Sequence, residues 1–316
     1  MARRVTISTI GADAPLFAPG KKLHGQKAID RMLKHWQGEL DQVLPDKPDL
    51  IVVPEACDRF PQHSMQERLQ YYKDRGGQVR DFFINVAREH ACYIAYSAIR
   101  EMDGGTWRNA TQLIGRDGKI AGTYHKNHVV IEETTQGGIL CGKDAPVIET
   151  DFGRVACAIC FDLNFDELRR KYAKARPDLI VFSSMYHGGL MQRYWAYSCR
   201  AHFASAIAGE QSAILAPTGD MLAHTTNYFD FVTHTVNLDC TLAHLDYNWG
   251  KLARMKEKYG PKVRVFDPGY LGSVLVTSES NEFTVQDLVA EFELELLDDY
   301  FERALAHRHA PGTMEP

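Results

Sequence analysis

The sequence predicts an α/β fold in which sheet packs on sheet and helices cover the outside. Three observations carry this. Short apolar runs rich in Val, Ile, Leu and Ala recur along the chain, as in strands buried on both faces. Amphipathic stretches with helical spacing lie between several of them. Asp-Gly turns join some runs directly, as in hairpins.

The strand-like runs are Val5–Ile10, Leu50–Pro54, Cys92–Ala98, Asn109–Gly115, Val147–Glu149, Val155–Cys160, Leu179–Ser184, Ser212–Ala216, Phe231–Asn237 and Gly272–Thr277. The first helix is expected over Lys27–Val43, with Ile29, Met32, Leu33, Trp36, Leu40 and Val43 on one face. A second helical run, Gln66–His90, is interrupted by Gly76-Gly77. Further helices are expected over Asp166–Ala175, the Ala- and aromatic-rich Leu190–Ala208, and the acidic Thr284–Ala306. Arg116-Asp117-Gly118-Lys119 and Pro217-Thr218-Gly219-Asp220 are the turn signals. There is no long linker and no fixed-period repeat, so one domain over 1–280 is expected, followed by a helical extension over 281–316.

The chain has 316 residues, 45% hydrophobic and 24% charged, enough to bury a large core without disulfides. Its net charge of −5 disfavours nucleic acid as a partner. No window approaches the roughly 18 apolar residues of a membrane span. The start, MARRVTISTIG, lacks the apolar segment of a secretory leader and passes directly into a strand pattern. Seven irregularly spaced cysteines fit reduced thiols, and a cytoplasmic location is expected.

Three reactive residues end apolar runs or lie just past them: Glu55 in LIVVPEACDRF, Lys126 in GTYHKNHVV and Cys160 in VACAICFDLNFDEL. Strand ends can converge at one edge of a sheet. A carboxylate to move protons, a cation to hold an oxyanion and a thiol to attack carbon are the parts needed for acyl transfer. A strand-to-helix turn at Cys160 aims backbone N–H groups, that of Phe161 first, at a developing oxyanion, and such groups with a nearby lysine would lower the thiol pKa. Cys157 and Cys160 also form a CxxC, but no second pair completes a metal site, and neither metal nor cofactor is expected. His125, His128 and His187 leave a Cys-His hydrolase as a rival.

The segments around these residues resemble the nitrilase (carbon–nitrogen hydrolase) superfamily. CFDLNFDELRRKYAKARPDLIVFSS is similar to its nucleophile segment, and NATQLIGRDGKIAGTYHKNH to its lysine segment. The resemblance runs over roughly Val5 to Thr277. It implies a four-layer α-β-β-α sandwich and a catalytic set of Glu55, Lys126 and Cys160. It also implies a supporting carboxylate after the lysine, Glu132 or Glu133, with Glu132 favoured. Cys160-Phe161-Asp162 stands where true nitrilases often carry Cys-Trp-Glu, which points to the amidase and carbamoylase branches. Asn164 and Asp166 stand where many members carry Arg and Pro, positions that shape the pocket.

Asn164, Met185, Tyr186 and His187 are the candidate substrate contacts, and Trp195, Arg200 and His202 are expected near the pocket mouth. The implied activity is hydrolysis of a small amide or N-carbamoyl compound through a thioester. A nitrilase acting on a C≡N carbon, or an inactive binding protein of the same fold, are the alternatives. A homodimer or higher homo-oligomer is expected, associating around Leu190–Ala208 and the C-terminal extension.

Overall fold

The computed structural model describes residues 1–18 and 21–315. The chain divides into two compact units: Val5–Val236, and Met1–Arg4 with Asn237–Pro316.

In the larger unit the first sheet holds β1 (Arg4–Ile10), β2 (Leu50–Val52), β3 (Tyr93–Glu101), β4 (Trp107–Ile114) and β5 (Ile120–His125). The second holds β6 (Val147–Glu149), β7 (Arg154–Ile159), β8 (Leu179–Ser184), β9 (His202–Ile207), β10 (Ala213–Leu215) and β11 (Met221–His224). β12 (Phe231–Asn237) returns to the first sheet beside β1. β1, β2 and β3 are mutually parallel, as are β7, β8 and β9, while hairpins add antiparallel strands at the edges.

The sheets pack face to face. β2 lies against β8 and β9, β4 lies against β7, and the Ser183 hydroxyl donates across the gap to the Val53 carbonyl at 2.8 Å. Each sheet is covered on its outer face. α1 (Gly25–Val43), α2 (Met65–Arg75) and α3 (Gln78–Glu89) lie over the first sheet, and α4 (Ile131–Gly137) abuts α2. α5 (Asp166–Ala175) and α6 (Leu190–Cys199) lie over the second. This is the four-layer sandwich, and its strands are apolar because both faces are buried.

The expected stripe of α1 is the buried one: Ile29, Met32, Trp36, Leu40 and Val43 face inward and Leu33 is half-buried. α2 starts in a capping box, with Ser64 and Glu67 satisfying each other's backbone N–H, and ends at Gly76 in the left-handed region. The helix expected over Leu190–Ala208 is instead α6 followed by β9. An Ala-rich apolar run fits either period, and Arg200 (φ 57°) stops the helix.

In the smaller unit, β13 (Cys240–His244), β14 (Val263–Phe266) and β15 (Ser273–Ser278) form an antiparallel sheet in the order β13-β15-β14. α7 (Trp249–Tyr259) packs on β14 and α8 (Val285–Phe292) on β15, closing a core that includes Ala243, Met255, Val276 and Leu288. The division therefore falls at Asn237, not near 280, because β15 and α8 share one core. The expected helix over Thr284–Ala306 is two, α8 and α9 (Leu297–Arg308), separated at Glu293 (φ 50°).

Candidate active site

Glu55 follows β2, Lys126 follows β5 and Cys160 follows β7. The first two come from one sheet and the third from the other, and face-to-face packing brings them to one cavity of about 250 Å³. Cys160 has φ 47°, a left-handed conformation that a β-carbon disfavours. The chain turns there from β7 into a 3₁₀ turn, Cys160–Asn164. Phe161 lies in that first turn, where N–H groups have no partner within the helix.

Lys126 is 1% exposed. An ammonium buried this far loses several kcal/mol of hydration unless it is paired. It is paired twice, to Glu55 Oε1 at 2.7 Å and to Glu133 Oε2 at 2.9 Å. Asn109 Nδ2 donates to Glu55 Oε1 at 2.8 Å and to Glu133 Oε1 at 3.0 Å, fastening the two carboxylates together. Burial alone would lower the Lys126 pKa. Glu55 and then Glu133 outweigh it and raise the group above the ordinary lysine range, so the cation is permanent.

The supporting carboxylate is thus Glu133, and the preference for Glu132 is corrected. α4 begins after Val130, which makes Glu133 its third residue, and its Oε2 turns back to the Val130 N–H at 2.9 Å. That turn places the carboxylate beside Lys126. Glu132, one residue earlier, is exposed.

The Cys160 thiol shares the cavity with the Glu55 carboxylate. Burial first, and the Glu55 charge second, push its pKa up to about 12, against the opposing pull of Lys126 and the Met185 N–H. The expected lowering of the thiol pKa does not occur, because desolvation is the larger effect. The resting site holds a neutral thiol facing a carboxylate, with a fixed cation alongside.

Asp162 holds the two sides together. It is fully buried, and its Oδ2 accepts from the Ile159 N–H at 3.0 Å and the Tyr124 hydroxyl at 2.7 Å. Its Oδ1 accepts from the His128 N–H at 2.8 Å and lies 2.9 Å from His128 Nδ1. One carboxylate therefore spans the cysteine turn and the segment carrying Lys126.

Of the expected substrate contacts, Met185 lines the cavity. Asn164 Nδ2 instead donates to the Tyr186 hydroxyl at 2.9 Å and to the Phe161 carbonyl at 3.1 Å, bracing the turn from outside. His187 Nδ1 accepts from the Gly189 N–H and does not line the cavity. His125 is also absent from its wall, so the lining offers no Cys-His pair. Trp195 is fully buried, not at a mouth, and its indole N–H donates to the Leu163 carbonyl at 3.0 Å. Arg200 and His202 lie at the α6-to-β9 junction, away from the cavity wall.

Sequence reasoning did not single out Asn109 and Asp162, nor Arg59 and Arg68, which line the cavity. Asn109 and Asp162 stand inside the two matched segments and were open to identification there. Arg59 and Arg68 gave no signal, being basic residues in a turn and on a helix.

A family model described as carbon-nitrogen hydrolase matches residues 24–239. The chain is 25% identical to the omega-amidase NIT2 of Danio rerio over 178 residues, 49% of this chain and 64% of that protein. It is 24% identical to the deaminated glutathione amidase of Homo sapiens over 166 residues, 48% of this chain and 50% of that protein. The chain thus spans from half to just under two thirds of the length of these two relatives. Among solved structures, Nit3 of Saccharomyces cerevisiae, a member of branch 10 of the nitrilase superfamily, superposes with a TM-score of 0.62 at 14% identity, covering 74% of this chain and 90% of that one. An amidase from Nesterenkonia sp. gives 0.61 at 16% identity, covering 74% and 89%. These likenesses show the fold.

Proposed function

Because this chain belongs to the carbon–nitrogen hydrolase family, we propose that it hydrolyses the C–N bond of a small amide or N-carbamoyl compound through a thioester on Cys160. The observation that carries this reading is the cavity that Cys160 shares with Glu55 and Lys126, the last two paired at 2.7 Å.

The thiol is neutral at rest, so attack on the carbonyl carbon is coupled to transfer of its proton to Glu55. The oxyanion that forms is met by the Lys126 ammonium and the Phe161 N–H. Glu55 then gives the proton to the departing nitrogen, and ammonia or amine leaves a thioester. Water, deprotonated by Glu55, attacks the thioester, and the acid leaves as the proton returns to sulfur. Glu133 and Asn109 keep Lys126 and Glu55 in place through both halves.

We further infer a homo-oligomer in the cytoplasm. Exposed Leu190 and Tyr194 on α6, and separately Phe301 and Leu305 on α9, support association. A nucleophile that works only as a free thiol suits a reducing compartment.

The test is a panel of amides, N-carbamoyl compounds and nitriles scored for ammonia release, with Cys160→Ala, Glu55→Gln and Lys126→Ala as controls. Release from amides or carbamoyl compounds that each change abolishes supports the reading. Release from nitriles alone, or turnover that survives Cys160→Ala, would sink it.

A further inference from the structure

We propose that a second cavity of the larger unit, on the outer face of the first sheet, is a binding site for a phosphate group. The site is separate from the one that holds Cys160, and it does not depend on the amide reading.

The cavity measures about 210 Å³ and lies where α2 gives way to α3 over β3 and β4. Lys73 and Arg75 reach it from the last turn of α2, Arg80 from the first turn of α3, Arg100 from β3 and Gln112 from β4. Glu55, Lys126, Cys160, Arg59 and Arg68 are absent from its wall. Tyr72 and Ile99 are common to the walls of the two cavities.

Gln112 is only 7% exposed, and among the described residues its side-chain amide has no hydrogen-bond partner. A buried amide left unpaired is costly, because its N–H groups and its carbonyl have all given up bulk water. Since the residue lines this cavity, a polar group inside can complete it.

Arg100 is half-buried and, among the described residues, makes no hydrogen bond or close ion pair. Burial first and the charge of Arg80 second lower its pKa, with Asp103 opposing, so the two guanidiniums feel one another. Lys73 is exposed and also has no ion pair among the described residues. Arg75 is differently treated. It lies 2.7 Å from Asp58 and donates to the carbonyls of Ile99 and Gly76, so it braces the junction of the helices.

Acidic groups nearby do not quench these cations. Asp81 lies 2.9 Å from Arg80, Glu101 lines the cavity and Asp103 acts on Arg100, yet all three carboxylates are exposed. Solvated carboxylates are screened and make weak partners.

The start of α3 adds a further positive end. Gly77 caps it without a side chain, so no cap satisfies the N–H groups of its first turn. Such an end favours an anion, phosphate included. A β-carbon at Gly77 would stand 2.8 Å from Arg80 Nη2, so the guanidinium lies over the helix start.

Donors from two helices and two strands thus surround one space. A tetrahedral phosphate accepts on several oxygens at once and suits donors that converge from several sides. The volume exceeds what a phosphate group alone fills, so a short hydroxylated stem can enter with it.

Titration calorimetry on the full, unmodified chain tests this with glycerol 3-phosphate, orthophosphate and glycerol. The expected result is saturable binding of a phosphate but not of glycerol, weakened at least about tenfold in Arg100→Gln and in Lys73→Gln. Glycerol 3-phosphate binding more tightly than orthophosphate identifies a phosphomonoester as the ligand; equal binding identifies free phosphate, and either supports the site. Lys73 is exposed, so its variant carries the test even where Arg100→Gln disturbs folding. No saturable binding of either phosphate would overturn the proposal, as would an affinity unchanged in the Arg100→Gln, Lys73→Gln double variant. Binding lost in Arg68→Gln but kept in Arg100→Gln would also overturn it, by placing the anion in the other cavity.

Discussion

Asp162 and His128 are joined twice through one oxygen: Asp162 Oδ1 lies 2.8 Å from the His128 backbone nitrogen and 2.9 Å from its ring Nδ1. The His128 ring in turn stacks on Phe165, with centroids 4.0 Å apart. Since Lys126 is two residues before His128 and Cys160 two before Asp162, this link sets the spacing between the proposed oxyanion cation and the proposed nucleophile.

Asp162→Ala should therefore damage both stability and turnover. It strips the carboxylate from four donor groups, two of them backbone N–H, and is expected to cost about 3 kcal/mol or more. Urea unfolding and ammonia release measure the two effects. A loss below about 1 kcal/mol with full activity would show that the clamp is dispensable.

The thiol should resist ionisation. With its pKa pushed up to about 12 by burial and then by Glu55, Cys160 is protonated at neutral pH. Ultraviolet thiolate absorbance, read against Cys160→Ala, should rise only in strongly alkaline solution. Glu55→Gln removes a charge that raises the pKa, so the rise should move to lower pH; Lys126→Ala removes one that lowers it, so the rise should move the other way. A thiolate signal at neutral pH in the unmodified protein would contradict the neutral-thiol resting state.

The two neighbouring glutamates should behave differently. Glu133→Gln loosens the buried Lys126 and is expected to reduce kcat by about tenfold or more, while Lys126→Ala should cost about a hundredfold or more. Glu132→Gln, an exposed change, should leave kcat and urea midpoint near their starting values. The reverse ranking would restore Glu132 to the position sequence reasoning gave it.

Acid should weaken the larger unit through His35. Burial first and Arg31 second lower its pKa from 6.5 to about 4. The unfolded chain then binds a proton that the folded chain refuses, so the contribution is fully present above pH 6.5 and is lost as pH falls towards 4. Glu39, 3.7 Å from the ring, has a pKa raised by burial and Asp230, and its protonation opposes the loss at the acid end. Urea midpoints measured between neutral and mildly acidic pH should fall less in His35→Gln than in the unmodified protein. Identical slopes would place the acid sensitivity elsewhere.

That Glu55, Lys126 and Cys160 meet at one cavity was legible because each ends an apolar run or lies just past it, and strand ends can converge at one edge of a layered α/β fold. What escaped was phase. Choosing between Glu132 and Glu133 requires knowing that α4 starts after Val130, and no capping residue type marks that start. Two helix ends were hidden for a related reason: Arg200 and Glu293 take the left-handed stop normally given to glycine. Thus Leu190–Ala208 read as one helix and Thr284–Ala306 as another. Arg59 and Arg68 were invisible because a basic residue in a turn or on a helix resembles any solvated one until the cavity beside it is seen.

The packing of the two sheets carries a consequence for safety as well as for assembly. Glu55 and Lys126 follow strands of one sheet and Cys160 a strand of the other, so a chain whose sheets have separated no longer holds the three together. It also surrenders the burial that keeps the thiol protonated. Such a loosened molecule would be inert towards amides yet more open to alkylation and oxidation at Cys160, so ageing preparations should lose activity and gain sulfur damage together.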